Sequence, residues 1–276
     1  MKLRKPLRWA ACAALCLGAV AAFQRPFKQY PGVEYFSFEL TPDWEEKTEF
    51  AFARLMFPPG PLNVYRGRDA EWHHGISLWT QDYPRADRHF SQAVRRLTRL
   101  HTRSVEQPVN LDEGDAYDWP WLYAVQVGEW GLTDAQGKLL REYCLRGGFF
   151  MADDFHGEAE WYEFESRMKK AFPEYAIRDI EDTDPIFHAV YDLNDRYQIP
   201  GQAHLRAGYK SNNGPTSLGA KWRGIFDDKG RVMVAITYNS DVGDAWEFAD
   251  DPGYPERFSD LAIRVGVNYI VYAMSH

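Results

Sequence analysis

Gly147-Gly148-Phe149-Phe150-Met151-Ala152-Asp153-Asp154-Phe155-His156-Gly157 is the stretch on which the reading of the fold turns. The glycine pair ends the helical pattern before it, because a positive φ costs little where there is no Cβ. Phe149, Phe150, Met151 and Ala152 then form an unbroken apolar run of strand length. A strand without polar alternation is covered on both faces, as in the sheet of an α/β domain. Polar groups follow at once, and in open α/β sheets ligands bind beyond the carboxyl ends of the strands. Asp153, Asp154 and His156 are therefore candidate catalytic residues, with helix capping by one of the two carboxylates as the plainer alternative.

The flanking sequence extends the same pattern. Upstream, Phe50, Phe52, Leu55 and Met56 make a short strand that stops at Pro58-Pro59-Gly60. Residues 60–85 are rich in Gly, Pro, Trp and His, and so long a connection marks a functional loop or a docked lid. Phe90, Val94, Leu97 and Leu100 recur at helical spacing over 86–100. A short strand near 102–106 and an extended run over 122–127 come next. Thr133 and Gln136 have the spacing of a capping box and open a helix through Leu139, Leu140, Tyr143 and Cys144. Downstream, a helix over 158–172 and a strand over 175–179 precede an irregular stretch, 180–220. Residues 224–226 and 231–238 read as a hairpin around Asp227-Asp228-Lys229-Gly230, and a helix over 258–274 closes the chain. Helices alternating with buried strands predict an α/β three-layer sandwich. Its central sheet is mostly parallel, with helices on both faces and an antiparallel hairpin at one edge. Residues 49–276 read as a single domain and 23–48 as an irregular lead.

Composition narrows the function. The 276 residues include 45% hydrophobic and 26% charged side chains, enough for a core without disulfide or metal staples. There are 32 Lys and Arg against 40 Asp and Glu, which argues against a nucleic-acid partner. Residues 1–22 have the form of a secretory signal peptide. Lys2, Arg4, Lys5 and Arg8 precede an apolar run, and Ala19 and Ala21 are small residues suited to cleavage before Ala22. The expected location is periplasmic or secreted; an uncleaved anchor is the rival reading and the only membrane association expected. Removal of residues 1–22 takes away four basic residues and no acids, leaving 28 basic against 40 acidic and a formal charge of −12. It also leaves Cys144 as the sole cysteine, so no internal disulfide can form.

Two further stretches carry candidate ligand-binding residues. Asn239, Asp241, Asp244, Trp246 and Glu247 follow the apolar run 232–236. Their oxygens are closely spaced and suit a hard cation, although the spacing is not that of an EF-hand and an Asx-rich loop satisfying its own backbone is the simpler reading. If a divalent cation binds, Asp154, Asp241 and Asp244 are its expected ligands; no other cofactor is expected. Asp82, Arg85 and Asp87 flank the start of the 86–100 helix, where capping and surface ion pairing compete with anion binding. The pair His73-His74 has no partner at zinc spacing and reads as a surface feature. Trp79, Trp119, Trp121 and Trp246 form a candidate sugar-stacking set, with core packing as the alternative.

Common catalytic signatures are missing. No G-x-S-x-G elbow, P-loop or G-x-G-x-x-G occurs. Cys144 lies in a helix before the glycine pair and is expected to be half buried, a poor setting for a nucleophile.

Phe52-Ala53-Arg54-Leu55, Trp79-Thr80-Gln81-Asp82-Tyr83-Pro84-Arg85-Ala86-Asp87, and the stretches 145–157, 230–247 and 266–273 together resemble the domain-of-unknown-function family 4159 from about residue 49 to the C-terminus. The resemblance implies a class I glutamine amidotransferase-like, flavodoxin-like sandwich, in which the elbow after the central strand can bear a catalytic cysteine. Here that elbow reads Ala152-Asp153-Asp154-Phe155-His156, so amidotransferase chemistry does not carry over. The family brings no reaction with it, and some members are fused to membrane-associated modules. The expectation is a non-catalytic domain of the cell envelope that binds a small ligand or an envelope protein. The first alternative is a hydrolase or lyase using Asp and His, with or without a metal. The second is a carbohydrate-binding module.

Overall fold

The computed structural model describes residues 26–63, 71–208 and 215–276. The expected signal peptide, residues 1–22, lies outside the described residues. Seven strands form one sheet: β1 (Ala53–Met56), β2 (Gln107–Asn110), β3 (Trp121–Ala124), β4 (Phe149–Ala152), β5 (Ile177–Asp179), β6 (Lys221–Phe226) and β7 (Val232–Tyr238). Their order is β2-β1-β3-β4-β7-β6-β5. The first five in that order are mutually parallel, and β6 runs antiparallel to both β7 and β5. The outer edge is β5, so the antiparallel β6–β7 pair lies one strand inside it. The strand expected near 102–106 begins later, at Gln107; the earlier residues meet the sheet only through a Phe50–Thr102 bridge.

The helices are α1 (Arg85–Leu97), α2 (Asp134–Leu145), α3 (Gly157–Ala171), α4 (Gln202–Arg206), α5 (Val242–Glu247) and α6 (Glu256–Ser275). Thr133 caps α2 as expected, its hydroxyl accepting the Gln136 N–H at 3.1 Å while Gln136 Oε1 accepts the Thr133 N–H. Among the described residues no helix is long and apolar enough to cross a membrane.

Successive side chains of a strand face opposite sides of the sheet, and the core divides accordingly. Leu55, Leu122, Ala124, Phe150 and Ala152 pack with Leu140, Tyr143, Phe164 and Met168 of α2 and α3. Phe52, Trp121, Tyr123, Phe149 and Met151 pack with Phe90, Val94, Trp246, Leu261 and Val265 of α1, α5 and α6. Both faces are thus covered by helices, which is why the central strands carry no polar alternation.

This packing decides the fate of the tryptophans. Trp79, Trp119, Trp121 and Trp246 are all buried, and Trp246 stacks on Phe90 at 4.1 Å between ring centroids. A sugar-stacking surface made of these four rings is thereby excluded; they are core. Trp246 likewise leaves the set of candidate ligand-binding residues. Cys144, expected half buried, is wholly buried, and burial pushes its thiol well above the usual range.

The chain passes from β1 to β2 on one side and later to β3 on the other. The sheet's topological switch therefore falls at the carboxyl ends of β1 and β3, next to β4.

Candidate functional site

Four of the loops that leave this carboxyl edge carry a non-glycine residue with positive φ: Asp82 (φ 61°) after β1, Gln126 (φ 48°) after β3, Asp154 (φ 51°) after β4 and Asn239 (φ 64°) after β7. Such a conformation costs roughly 1 kcal/mol or more per residue and persists where the surroundings impose it.

The loops after β4 and β7 hold each other. Asp153 is fully buried and its carboxylate accepts four hydrogen bonds. These come from Tyr123 Oη at 2.8 Å, Val242 N at 3.0 Å, Gly243 N at 2.8 Å and the Thr237 hydroxyl. Two of these donors are the first N–H groups of α5, which would otherwise lack partners. In return Asn239 Oδ1 accepts the Gly157 N–H at 3.0 Å, capping α3. Asp153 and Asn239 thus both tie the loops after β4 and β7 together. The capping alternative holds for Asp153, but on the helix after β7, not the one just ahead of it in sequence.

Asp154 and His156 form a buried pair, with His156 Nε2 2.9 Å from Asp154 Oδ1. The His156 N–H donates to Glu160 Oε2 at 2.6 Å. Burial raises the Glu160 carboxyl to about 7.

Asp241 is the N-cap of α5; its Oδ1 accepts the Asp244 N–H at 2.9 Å. Asp244 Oδ2 accepts the Gln202 N–H, at the start of α4, at 2.6 Å. Gly201 makes room for both carboxylates: a Cβ there would lie 2.6 Å from Asp241 Oδ2 and 2.9 Å from Asp244 Oδ2. Glu247 is buried and accepts the Tyr35 hydroxyl hydrogen bond. Arg85, at the start of α1, donates to Tyr35 Oη at 3.2 Å and pairs with Asp250 at 2.6 Å.

Asp82 is delivered from beneath. Arg54 on β1 is wholly buried and donates to the carbonyls of Trp79 and Gln81, both at 3.1 Å, and to both oxygens of Asp87. Asp87 therefore belongs to a buried ion pair that shapes the loop. The Asp82 N–H donates to Glu34 Oε2 at 2.8 Å, which draws Glu34 to the same place.

The outcome is a crowded acidic pocket. Glu34, Asp82 and Glu247 each offer one carboxylate oxygen within 4.8 Å of the others, and so do Asp82, Asp241 and Asp244. Asp154, grouped with Asp241 and Asp244 by sequence, belongs to neither trio, although its charge acts on both. Burial first, and then the neighbouring carboxylates, raise Asp82 and Asp241 far above the usual carboxylate range. The same causes lift Asp244 to about 7 and Glu247 to about 8. Burial raises Asp153 to about 6 against its hydrogen bonds.

Sequence reasoning missed Glu34, Tyr35 and Arg54. The first two lie in the lead, 23–48, whose polar irregular sequence carries no periodicity linking it to the sheet. Arg54 had one visible signal, a charge inside an otherwise apolar strand, where burial demands a partner.

No curated protein matches the chain. The model of the family described as Domain of unknown function (DUF4159) matches residues 70–274, most of the chain. That segment contains Asp82, Asp154, His156, Asp241, Asp244 and Glu247, whereas Glu34, Tyr35 and Arg54 precede it. With the matched segment running from before β2 to α6 and carrying Asp82, Asp241, Asp244 and Glu247, the chain belongs to the DUF4159 family.

Proposed function

We propose that this chain is an exported ligand-binding domain of the cell envelope, built on a glutamine amidotransferase-like sandwich without the cysteine nucleophile. The pocket at the carboxyl edge of the sheet is its binding site, and the ligand brings positive charge. One observation carries this reading: acidic side chains from the lead, the loop after β1, the loop after β4 and helix α5 converge on one end of the sheet. Among the described residues, the guanidinium groups that act on them, Arg54 and Arg85, are engaged with Asp87 and Asp250. Buried carboxylates left without cationic partners are costly, and a cationic ligand relieves that cost. The strand order β2-β1-β3-β4 is that of flavodoxin-like sheets, which supports the superfamily placement. Wholly buried Cys144, at the far end of β4 from the pocket, supports a site without a thiol.

The test is a calorimetric screen of the purified chain against polyamines, amino sugars, basic peptides and divalent cations, with Asp241→Asn and Asp244→Asn alongside. At least one cationic ligand binds the native chain, and both variants weaken it. If no ligand binds, or if binding survives both substitutions, the reading fails. Cell fractionation tests export.

The second reading is a hydrolase, favoured by the buried Asp154–His156 pair beside the pocket. Asp154 orients the imidazole, which would carry a proton to or from a water held in the pocket. Turnover of ester, amide or phosphoester substrates that disappears in Asp154→Ala, with folding unchanged, replaces the binding reading with this one.

A further inference from the structure

We propose that the pocket is a two-site centre for hard divalent cations, with Asp82 as the ligand common to both sites. One ion would sit among Glu34, Asp82 and Glu247, the other among Asp82, Asp241 and Asp244.

The spacing fits. Within each trio the ligand atoms lie within 4.8 Å of one another. Oxygen ligands stand about 2.0–2.6 Å from Mg²⁺ or Ca²⁺, so two ligands on opposite sides of one ion are about 4–5 Å apart. The donors are all carboxylate oxygens, without sulfur or imidazole in either trio. That composition selects Mg²⁺, Ca²⁺ or Mn²⁺ over zinc or copper.

The second argument is the state of Asp82. The residue is 1% exposed, and among the described residues its Oδ2 meets no hydrogen-bond donor. Its backbone is held on both sides, by Glu34 at its own N–H and by Arg54 at the preceding carbonyl. The fold thus pins a buried carboxylate at the shared corner of two acidic trios, and the described residues supply no N–H or O–H to one of its oxygens. A buried carboxylate oxygen without a donor calls for a cation. Gly243 keeps the space beside it open: a Cβ there would lie 2.6 Å from Asp82 Oδ2.

The proposal rests on the reading of the pocket as a site for positive charge and specifies the ligand. The full chain, stripped with chelator, is titrated near neutral pH with MgCl2, CaCl2 and MnCl2 by calorimetry, and melting is followed in parallel. The expected result is saturable binding of two ions per chain by at least one of the three, with a raised Tm. Asp82→Asn weakens both sites by about tenfold or more. Asp241→Asn weakens one site and leaves the other. Where Asp82→Asn does not fold, Glu247→Gln takes its place, with loss of the opposite ion expected. Absence of binding by all three salts overturns the proposal, as does a stoichiometry of one or native affinity in Asp82→Asn. A chain that ignores the metals but binds spermidine or a basic peptide overturns the metal centre and leaves the pocket reading standing. A chain that binds none of them overturns both.

Discussion

Asp153→Ala is predicted to destabilise this domain severely. The side chain is fully buried and serves four donors: the Tyr123 and Thr237 hydroxyls and the N–H groups of Val242 and Gly243. Alanine abandons all four. The hydroxyls have some freedom, and Thr237 already reaches the Ala152 carbonyl at 3.2 Å. The two N–H groups have none, because they point along the axis of α5 into protein. Each stranded N–H costs about 1–3 kcal/mol, and the lost carboxylate volume adds to this, for a total of roughly 3–6 kcal/mol. Asp153→Asn keeps one acceptor oxygen but turns an NH2 toward the remaining donors, and about 1–3 kcal/mol is expected. Urea unfolding followed by tryptophan fluorescence measures both. The substitutions should lower the midpoint in the order Ala, then Asn, with the slope against urea unchanged. A loss below about 1 kcal/mol for Asp153→Ala would refute the capping role and return Asp153 to the list of chemically active groups.

Arg54→Met strands the Asp87 carboxylate in the core and should cost about 3–5 kcal/mol in the same assay, while adding Asp87→Leu recovers most of it; equal losses in the single and double variants would contradict the ion-pair account. Cys144 should resist thiol reagents in the native chain and react once urea unfolds it, so rapid labelling of native protein counts against its burial. Glu160 is raised from 4.5 to about 7 in the folded chain, so the native state holds a proton that the unfolded chain releases. Its contribution is present below pH 4.5 and is lost as pH rises through 7. Glu160→Gln should therefore flatten the fall in stability over that window, and an unchanged pH profile would show that Glu160 does not titrate there.

The sheet was legible because burial on both faces writes itself into short segments. Phe149–Ala152 reads as a covered strand from its own residues, and the glycine pair before it marks the preceding helix end. The carboxyl-edge location followed from the same stretch. The role of each polar residue did not. Asp153 and Asp154 are neighbours of the same type, yet one is consumed by hydrogen bonds from α5 while the other pairs with His156. Asp87 sits five residues from Asp82 and looks equally available, but Arg54 claims it.

The amino-acid sequence determined what local pattern can encode: the α/β class, most strands and the longer helices, and the end of the sheet where polar groups gather; the short helices α4 and α5 and the bounds of β2 were not legible in it. Tertiary structure alone decided which acids meet. Asp82 is separated from Asp241, Asp244 and Glu247 by a long stretch of chain and meets them only because β1 and β7 end on the same edge of the sheet. Glu34 joins them from a segment without periodicity, held by the Asp82 backbone N–H and the Gln81 side-chain amide. Periodicity reports the burial of apolar faces, which is a property of each element. The partner of a carboxylate is a property of the whole fold, because hydrogen bonds between distant segments settle it.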